Sequence, residues 1–503
     1  MNKQYNKNEH HSTRKRYLWY ALLFGVAYLL NFQLTAQSIY LDGGLVKANP
    51  YGYPGISSSL RNQLNAIKNA DATSAQESGF WLRSNGQLDY FRANYNVGHG
   101  GKYFENEKAS YPYAMYHLMY GMAHENETII NSARTYLQTS DPFQTGHTDG
   151  IDLFPSFTLK GQMPKYFYFG KNAEVLTQAY RDKFYAASNV WSEIDPFYRP
   201  SQYFTGGGSC WHQECRNSWV DIRNTDNLKA MRESSAFLLA DETGNTAVKD
   251  IYFERIKNHA ATLFYKGYSE WDSENYFSHS VAPWLNLYTY TTDIEMKKLS
   301  KAALDWYMTA GAAKYFNGMM AGPTKRLNNG ANIPVNIDAA SMLHAYFGDH
   351  AIPSGAIAHD RDTYISMLSS YRPPQSVYQL ASKDFSPYVE QINSKPQYGV
   401  FTPTHTSSPS AWETMFYGAH YQMGSVVTAG EVGDMRAFKL AASSSTEGSE
   451  VFYAYSTPSD ASFIHYKRGG DQLSQHRDKM IFLRSGGSKF GFQVPTNVPI
   501  QVE

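Results

Sequence analysis

The feature that most constrains the fold of this chain is a series of paired helical patterns between about residues 110 and 348. One pair runs from Asp226 to Gly244 and from about Ala247 to Tyr265; the next lies in PWLNLYTYTTD and IEMKKLSKAALDWYMTAGAAKYF. Helix pairs joined by short turns, ~40 residues per pair, are typical of helical solenoids and closed toroids. The sequence therefore predicts a mainly α fold, an (α/α) toroid or barrel of helical hairpins. Periodicity alone does not distinguish a closed ring from an open solenoid.

Apolar residues at helical spacing predict the buried face of each helix in the first pair. In the first helix this face comprises Leu228, Met231, Ser235, Leu238 and Leu239. In the second helix it comprises Ile251, Ile256, Ala260, Leu263 and Phe264. Two earlier segments, SYPYAMYHLMYGMAHENETIINSARTYL and NAEVLTQAYRDKFYAASNVW, fit the same scheme with longer connections.

The character of the chain changes after about Pro396. AFKLAASSS, EVFYAYST, SFIHYKR and KMIFLRSGG are short β-branched or aromatic runs bounded by Ser, Gly, Asp and Pro, which predict strands. We therefore predict a helical domain over residues 37–395 and a β-rich region over residues 396–503. The last residues, PTNVPIQVE, still resemble a strand, which is compatible with a β-region truncated at this point.

The first 36 residues have the pattern of an export signal. The basic run STRKR precedes an apolar core from Tyr17 to Leu30, and LTAQS offers a cleavage point after Ala36. We expect a secreted or periplasmic protein with no membrane segment beyond the signal. The alternative is that this segment is retained as an anchor.

Charge and composition narrow the classes of partner. The signal segment holds five Lys/Arg and one acidic residue, so the remaining chain has 40 basic and 44 acidic residues, a net charge of −4. This balance argues against nucleic acid as a partner. Aromatic residues make up 15% of the chain, which suits stacking on sugar rings as well as ordinary core packing. Cys210 and Cys215 could close a small disulfide loop in an exported protein, but their spacing does not indicate a zinc site.

Three polar clusters fall at the ends of the predicted helices. RNSWVDIRNTDN precedes one helix, SEWDSENYFSH follows its partner, and MAGPTKRLNNG ends the next pair. In an antiparallel helical array, the start of one helix and the end of its partner lie at the same end of the array. We therefore expect Asn224, Tyr276, Lys325 and Arg326 to lie around one cleft.

An Asn, a Tyr, a His and an Arg around one cleft suit the β-elimination of a uronic-acid polymer. Removing the proton α to a carboxylate is feasible only if amide, imidazolium or guanidinium donors offset the carboxylate charge. A base must take the C5 proton and an acid must protonate the leaving O4, and a tyrosine near a cation can do both.

RNTDN followed by SENYFSHSVAPWL resembles the (α/α)-toroid polysaccharide lyases, notably those acting on alginate or glucuronan, over about residues 216–326. The resemblance implies that Asn224 neutralises the uronate, that Tyr276 is base and acid, and that Pro283 opens the following helix. Thr225 stands where the family has His, and no Arg lies shortly upstream of Tyr276.

The predicted site follows from this resemblance. Its catalytic residues are Tyr276, Asn224, His279 and Arg326, with Arg326 and His279 as the first candidates for the cation ahead of His212 and Arg223. Its substrate-binding residues are Trp271, Arg223, Asn227, Glu274, Asn275, His212 and Lys325. An anionic polysaccharide is the expected partner, and neither an organic cofactor nor a metal is implied, although Asp149 and Asp152 form a generic candidate cation site.

Two other functions remain open. A toroidal glycosidase would use two carboxylates among Asp226, Glu270, Asp272 and Glu274. A glycan-binding surface protein would bind without forming a product, but such proteins usually carry a lipidated N-terminal cysteine, which the sequence lacks. The structural alternatives are that Tyr276 packs helices together, that Asn224 belongs to a helix cap, that Trp271 is core, and that Glu270, Asp272 and Glu274 form a solvated acidic turn.

Overall fold

A computed structural model describes residues 73–98, 104–139, 151–153, 156–198, 226–268, 270–325, 338–348, 362–383, 388–395, 411–428, 435–444, 448–455, 472–483 and 491–493. The predicted signal segment, residues 1–36, and the pair Cys210 and Cys215 lie outside the described residues. Within the described ranges, no helix is long and apolar enough to cross a membrane.

The described chain is mainly helical, with a smaller β region, as the sequence predicts. The helices are α1 (Ser74–Asn94), α2 (Phe104–Ala123), α3 (Glu127–Thr139), α4 (Ser156–Met163), a π-helix (Pro164–Asn172), α5 (Gln178–Tyr198), α6 (Asp226–Thr243), α7 (Thr246–Lys266), α8 (Phe277–Tyr290), α9 (Ile294–Lys314), α10 (Asp338–Phe347), α11 (Thr363–Leu368) and α12 (Gln375–Ser382). The two predicted hairpins correspond to α6–α7 and α8–α9.

Local capping signals set the ends of these helices. The Asn245 side chain accepts a hydrogen bond from the Val248 amide at the start of α7, and Asp293 accepts one from Met296 at the start of α9. Gly267, with φ +79°, follows α7 and ends it. Since these caps depend on neighbouring residues, the sequence indicates these boundaries to within a few residues.

The predicted buried faces need two corrections. Helix α6 is buried on all sides, because it packs against α4, α5, α7 and α8, so the one-sided pattern is wrong for this helix. In α7, Ile256, Ala260 and Leu263 are buried as predicted, but Ile251 is 40% exposed. The sequence of this central helix shows an apolar pattern on one face only. Its polar side chains, among them Arg232 and Glu233, are nevertheless also enclosed by neighbouring helices.

The strands are β1 (Tyr315–Phe316), β2 (Met319–Met320), β3 (Thr324–Lys325), β4 (Tyr388–Lys395), β5 (Ala411–Gly418), β6 (Tyr421–Thr428), β7 (Met435–Arg436), β8 (Phe438–Ser444), β9 (Gly448–Tyr455), β10 (Gln472–His476), β11 (Lys479–Leu483) and β12 (Gly491–Gln493). A six-stranded antiparallel sheet has the order β12-β9-β8-β6-β5-β4. Its first strand begins at Tyr388, before the predicted domain boundary at residue 396. Of the four predicted strand segments, three match β8, β9 and β11, and SFIHYKR lies outside the described residues.

The two faces of this sheet meet different partners. Cross-strand pairing aligns Met415, Gly424 and Lys439 in one row, and Met415 belongs to the main core shared with the helices. Successive residues of a strand point to opposite faces, so Phe416 and Phe438 lie on the other face, in a separate apolar cluster. The β10–β11 hairpin contacts this side, where the Gln475 amide donates to the Met423 carbonyl at 3.2 Å.

The sheet approaches the helical part very closely. A Cβ atom added at Gly424 would lie 2.7 Å from Cδ of Pro323 and 2.8 Å from Cα of Gly322, so glycine is required at this contact. Gly322 itself has φ +79°, a conformation that favours glycine. Beside it, β3 pairs with β7, which joins the segment after α9 to the β region.

Candidate active site

Residues 270–276, the seven residues directly before α8 in the connection from α7, form a loop that we call the site loop. Its first amide, of Glu270, donates to Oδ2 of Asp226 at 3.0 Å. The start of α6 and the end of the α6–α7 hairpin therefore lie together, as the antiparallel arrangement predicts. Asp272 has φ +53°, and its amide donates to the Tyr268 hydroxyl at 2.6 Å.

The end of the site loop fixes the backbone of Tyr276. The Tyr276 amide donates to Oγ of Ser273 at 3.2 Å, and the Phe277 amide donates to the Ser273 carbonyl at 2.9 Å. The Tyr276 side chain is half-buried and packs against Phe157, Leu228 and Met231. Tyr276 thus combines a fixed backbone with partial exposure of the residue.

A buried cluster of three charged or titratable side chains lies beside Tyr276. His279, on the first turn of α8, has its ring centroid 6.0 Å from that of Tyr276. Nδ1 of His279 contacts the Asp362 carboxylate and lies 2.9 Å from Nζ of Lys160, which also forms an ion pair with Asp362. His279, Asp362 and Lys160 are at most 4% exposed. Helices α4 and α8 and the start of α11 thus converge on one buried site.

The cluster keeps Asp362 ionised. Burial by itself raises the pKa of this carboxyl, but the charges of His279 and Lys160 outweigh the burial and hold the pKa well below its usual value. A carboxylate facing Nδ1 of a histidine fixes the ring orientation, and the Lys160 ammonium lies beside the same nitrogen. Asp362 therefore orients His279 next to Tyr276, which is an arrangement suited to holding and moving a proton.

Four of the predicted substrate-binding residues are buried. Trp271, Asn227 and Lys325 are each 2% exposed, and Glu274 is fully buried. The prediction that the Trp271 ring stacks on a sugar is therefore wrong, because its faces are covered by protein. The Lys325 amide donates to the Trp271 carbonyl at 3.1 Å, so these two residues do meet, but within the protein interior. Asn275 is half-buried, like Tyr276.

The buried acids of the site loop belong to a group of charged residues between the helical part and the sheet. We call this group the interface charge cluster; it comprises Asp272, Glu274, Lys314, Glu413, Arg436 and Lys439, all at most 2% exposed. Lys314 forms an ion pair with Glu413 and lies 3.5 Å from Asp272. Lys439 forms an ion pair with Glu274. The three acids and three bases of this cluster balance in charge. Because the acids of the site loop are buried, the alternative that they form a solvated acidic turn is wrong.

Burial also affects one of the two lysines of this cluster, Lys439. It lowers the pKa of Lys439, and the nearby Glu274 carboxylate opposes but does not cancel that shift. A buried lysine next to a carboxylate is retained in its charged form only while the carboxylate is present.

Lys160, Asp362 and Lys439 are functional candidates that the sequence did not predict. Lys160 is the one charged residue of α4, SFTLKGQM, and a lone lysine in such a helix was a usable signal for a buried ionic contact. Asp362 and Lys439 carry no comparable local signal, because their partners lie 202 and 165 residues away in the chain. The predicted residues Asn224, Arg223, His212 and Arg326 lie outside the described residues.

Comparison with protein-family models and with curated proteins finds no match for this chain. Across the part of the chain that the structure describes, no group of three or more His, Cys, Asp or Glu side chains is arranged to hold a metal ion.

Proposed function

We propose that this chain is an exported polysaccharide lyase that cleaves a uronic-acid polymer, of the alginate or glucuronan type, by β-elimination. The observation that carries the proposal is the half-buried Tyr276 at the start of α8, beside the buried His279–Asp362–Lys160 cluster. A tyrosine next to an oriented histidine and a fixed cation is suited to proton abstraction from a carbon acid.

The elimination breaks the C5–H and C4–O4 bonds of the uronate, forms a C4=C5 double bond and gives a proton to O4. In this proposal Tyr276, as the phenolate, takes the C5 proton and then, as the phenol, returns a proton to O4, so the protein ends unchanged. His279, held by Asp362, is the neighbouring group that stabilises the phenolate. Asn224 and Arg326 are the proposed neutralisers of the substrate carboxylate.

We further propose that the helical hairpins form an (α/α) toroid over residues 37–395 with the site at one end. The adjacency of the start of α6 and the site loop supports this arrangement, since it places consecutive hairpin ends together. The central position of α6, between α4, α5, α7 and α8, is also compatible with it.

Burial of the acids argues against the glycosidase alternative. Glu270 and Glu274 are fully buried, and Asp226 and Asp272 are 7% and 1% exposed. Glu274 is paired with Lys439, and Asp226 accepts the Glu270 amide. A glycosidase needs two carboxylates that reach the glycosidic bond.

The test is ultraviolet absorbance of the new conjugated double bond over time. The protein is mixed separately with mannuronate-rich alginate, guluronate-rich alginate, glucuronan and a neutral glucan. We expect absorbance to rise on one or more uronates and to be lost in Tyr276→Phe. Tyr288→Phe is the matched control, because it removes a hydroxyl from a half-buried tyrosine near the other end of α8 and should leave the rate unchanged.

New reducing ends without absorbance would replace the lyase with a glycosidase. Binding of a polymer without any product would indicate a glycan-binding protein. Full activity in Tyr276→Phe would remove Tyr276 from the mechanism.

A further inference from the structure

The site loop is held on one side by residues of the sheet. Glu274, two positions before Tyr276, pairs with Lys439 of β8, and Asp272 lies 3.5 Å from Lys314, which in turn pairs with Glu413 of β5. Two loop acids therefore have partners that connect them to two different strands. The contact between the helical part and the sheet is thus also the support of the loop that carries Tyr276.

Glu274 is connected to the Tyr276 backbone through the adjacent residue, Ser273. Ser273 and Glu274 are adjacent, and Ser273 accepts hydrogen bonds from the amides of Tyr276 and Phe277. A displacement of Glu274 therefore moves the residue that fixes the Tyr276 backbone. A reacting group misplaced by ~1 Å can lower a rate about a hundredfold.

We propose that Lys439 of the β region is a positioning residue for Tyr276, acting through its buried ion pair with Glu274. This inference rests on the proposed function for its catalytic part. The proposal assigns the sheet a part in catalysis, because Lys439 of the sheet is the group that holds Glu274 in the last turn of the site loop. Lys439 itself does not touch the substrate in this proposal.

The test compares three variants. Lys439→Met leaves Glu274 buried without its cation, and Lys439→Met with Glu274→Gln removes both charges and so relieves that penalty. Phe438→Ala is the matched control, since Phe438 is the neighbouring residue of β8 on the opposite face of the sheet, in the cluster with Phe416 and Met423. Each variant is measured for Tm, for kcat and KM on the uronate that the wild type cleaves, and for hydrogen exchange of the site-loop amides.

A positioning role predicts a specific pattern. In Lys439→Met, Tm falls, kcat falls at least tenfold with KM within threefold of wild type, and the Tyr276 and Phe277 amides exchange at least tenfold faster. In the double variant Tm recovers, but kcat stays low and exchange stays fast, because the loop still lacks its support. In Phe438→Ala, Tm falls while kcat and loop exchange match the wild type.

Either of two results would overturn the proposal. A double variant whose kcat and loop exchange return to wild type with its Tm would show that Lys439 acts only on stability. Unchanged loop exchange in Lys439→Met would show that the ion pair does not hold the loop. Hydrogen exchange needs no substrate, so a wild type inactive on every polymer would refute the proposed function, while the exchange data would still decide whether Lys439 fixes the loop.

Discussion

Asp362→Asn should strongly destabilise the protein. The substitution keeps the shape of the side chain and removes a buried negative charge that faces both Lys160 and His279. Removing one partner of a buried ion pair commonly costs ~3–5 kcal/mol, because the other charge is left buried and unpaired. Asp362 is fully buried and has two such partners, so we expect a loss of at least about 3 kcal/mol in the free energy of unfolding.

Urea unfolding followed by fluorescence measures this loss, with Glu254→Gln as the matched control. Glu254 and its partner Lys257 are 67% and 58% exposed, so the same carboxylate-to-amide change there should cost less than about 1 kcal/mol. A second comparison, Lys160→Met with Asp362→Asn, removes both charges of the Lys160–Asp362 pair and should recover part of the stability, since His279 still lacks its carboxylate. A loss below about 1 kcal/mol in Asp362→Asn, or no recovery in the double variant, would refute the buried ion pair.

The same pair predicts a pH dependence with a definite sign. The pKa of Asp362 is lowered in the folded protein relative to its value of about 4 in an unfolded chain. Its contribution to stability is therefore fully present above that unfolded-state value and is lost as the pH falls through the folded-state value. The stability difference between wild type and Asp362→Asn should be constant from about pH 7 to pH 5 and shrink below about pH 4. A difference that grows on acidification would contradict the assignment.

Three further predictions concern packing. Gly424→Ala should destabilise the contact between sheet and helices by about 1–3 kcal/mol, since the new methyl group would overlap Cδ of Pro323 and Cα of Gly322. A lowered Tm with normal helix content by circular dichroism would confirm this prediction. Ile256→Ala should cost ~2–5 kcal/mol in urea unfolding because its side chain is buried. Ile251→Ala, at the 40% exposed position on the same helix, should change stability by less than about 0.5 kcal/mol, and equal costs at the two positions would contradict the packing of α7.

Part of this architecture is predictable from the sequence, and the reason is local. Asn245, Gly267 and Asp293 act on neighbouring residues of the backbone, so the helices they bound can be predicted from short segments. The strands matching β8 and β11 are likewise predicted by their own composition.

The environment of the site loop could not be predicted in this way. A run such as SEWDSENY is equally compatible with a solvated turn and with a buried loop that contacts a sheet. Only the long-range pairing with Lys439 and Lys314 decides between these two environments. Trp271 shows the same ambiguity, because an aromatic side chain next to acids suits both a sugar platform and a core. Tyr276 is the candidate for which the structure leaves exposed surface beside an oriented histidine.

The pairing of Glu274 with Lys439 also sets an order of events during synthesis. Lys439 follows Glu274 by 165 residues, so a ribosome adding about 5–20 residues per second completes the partner roughly ten to thirty seconds later. During that interval the nascent helices carry an acidic loop whose final turn has not yet received its counter-ion. Under the positioning role proposed for Lys439, Tyr276 reaches its final position only after translation has passed Lys439.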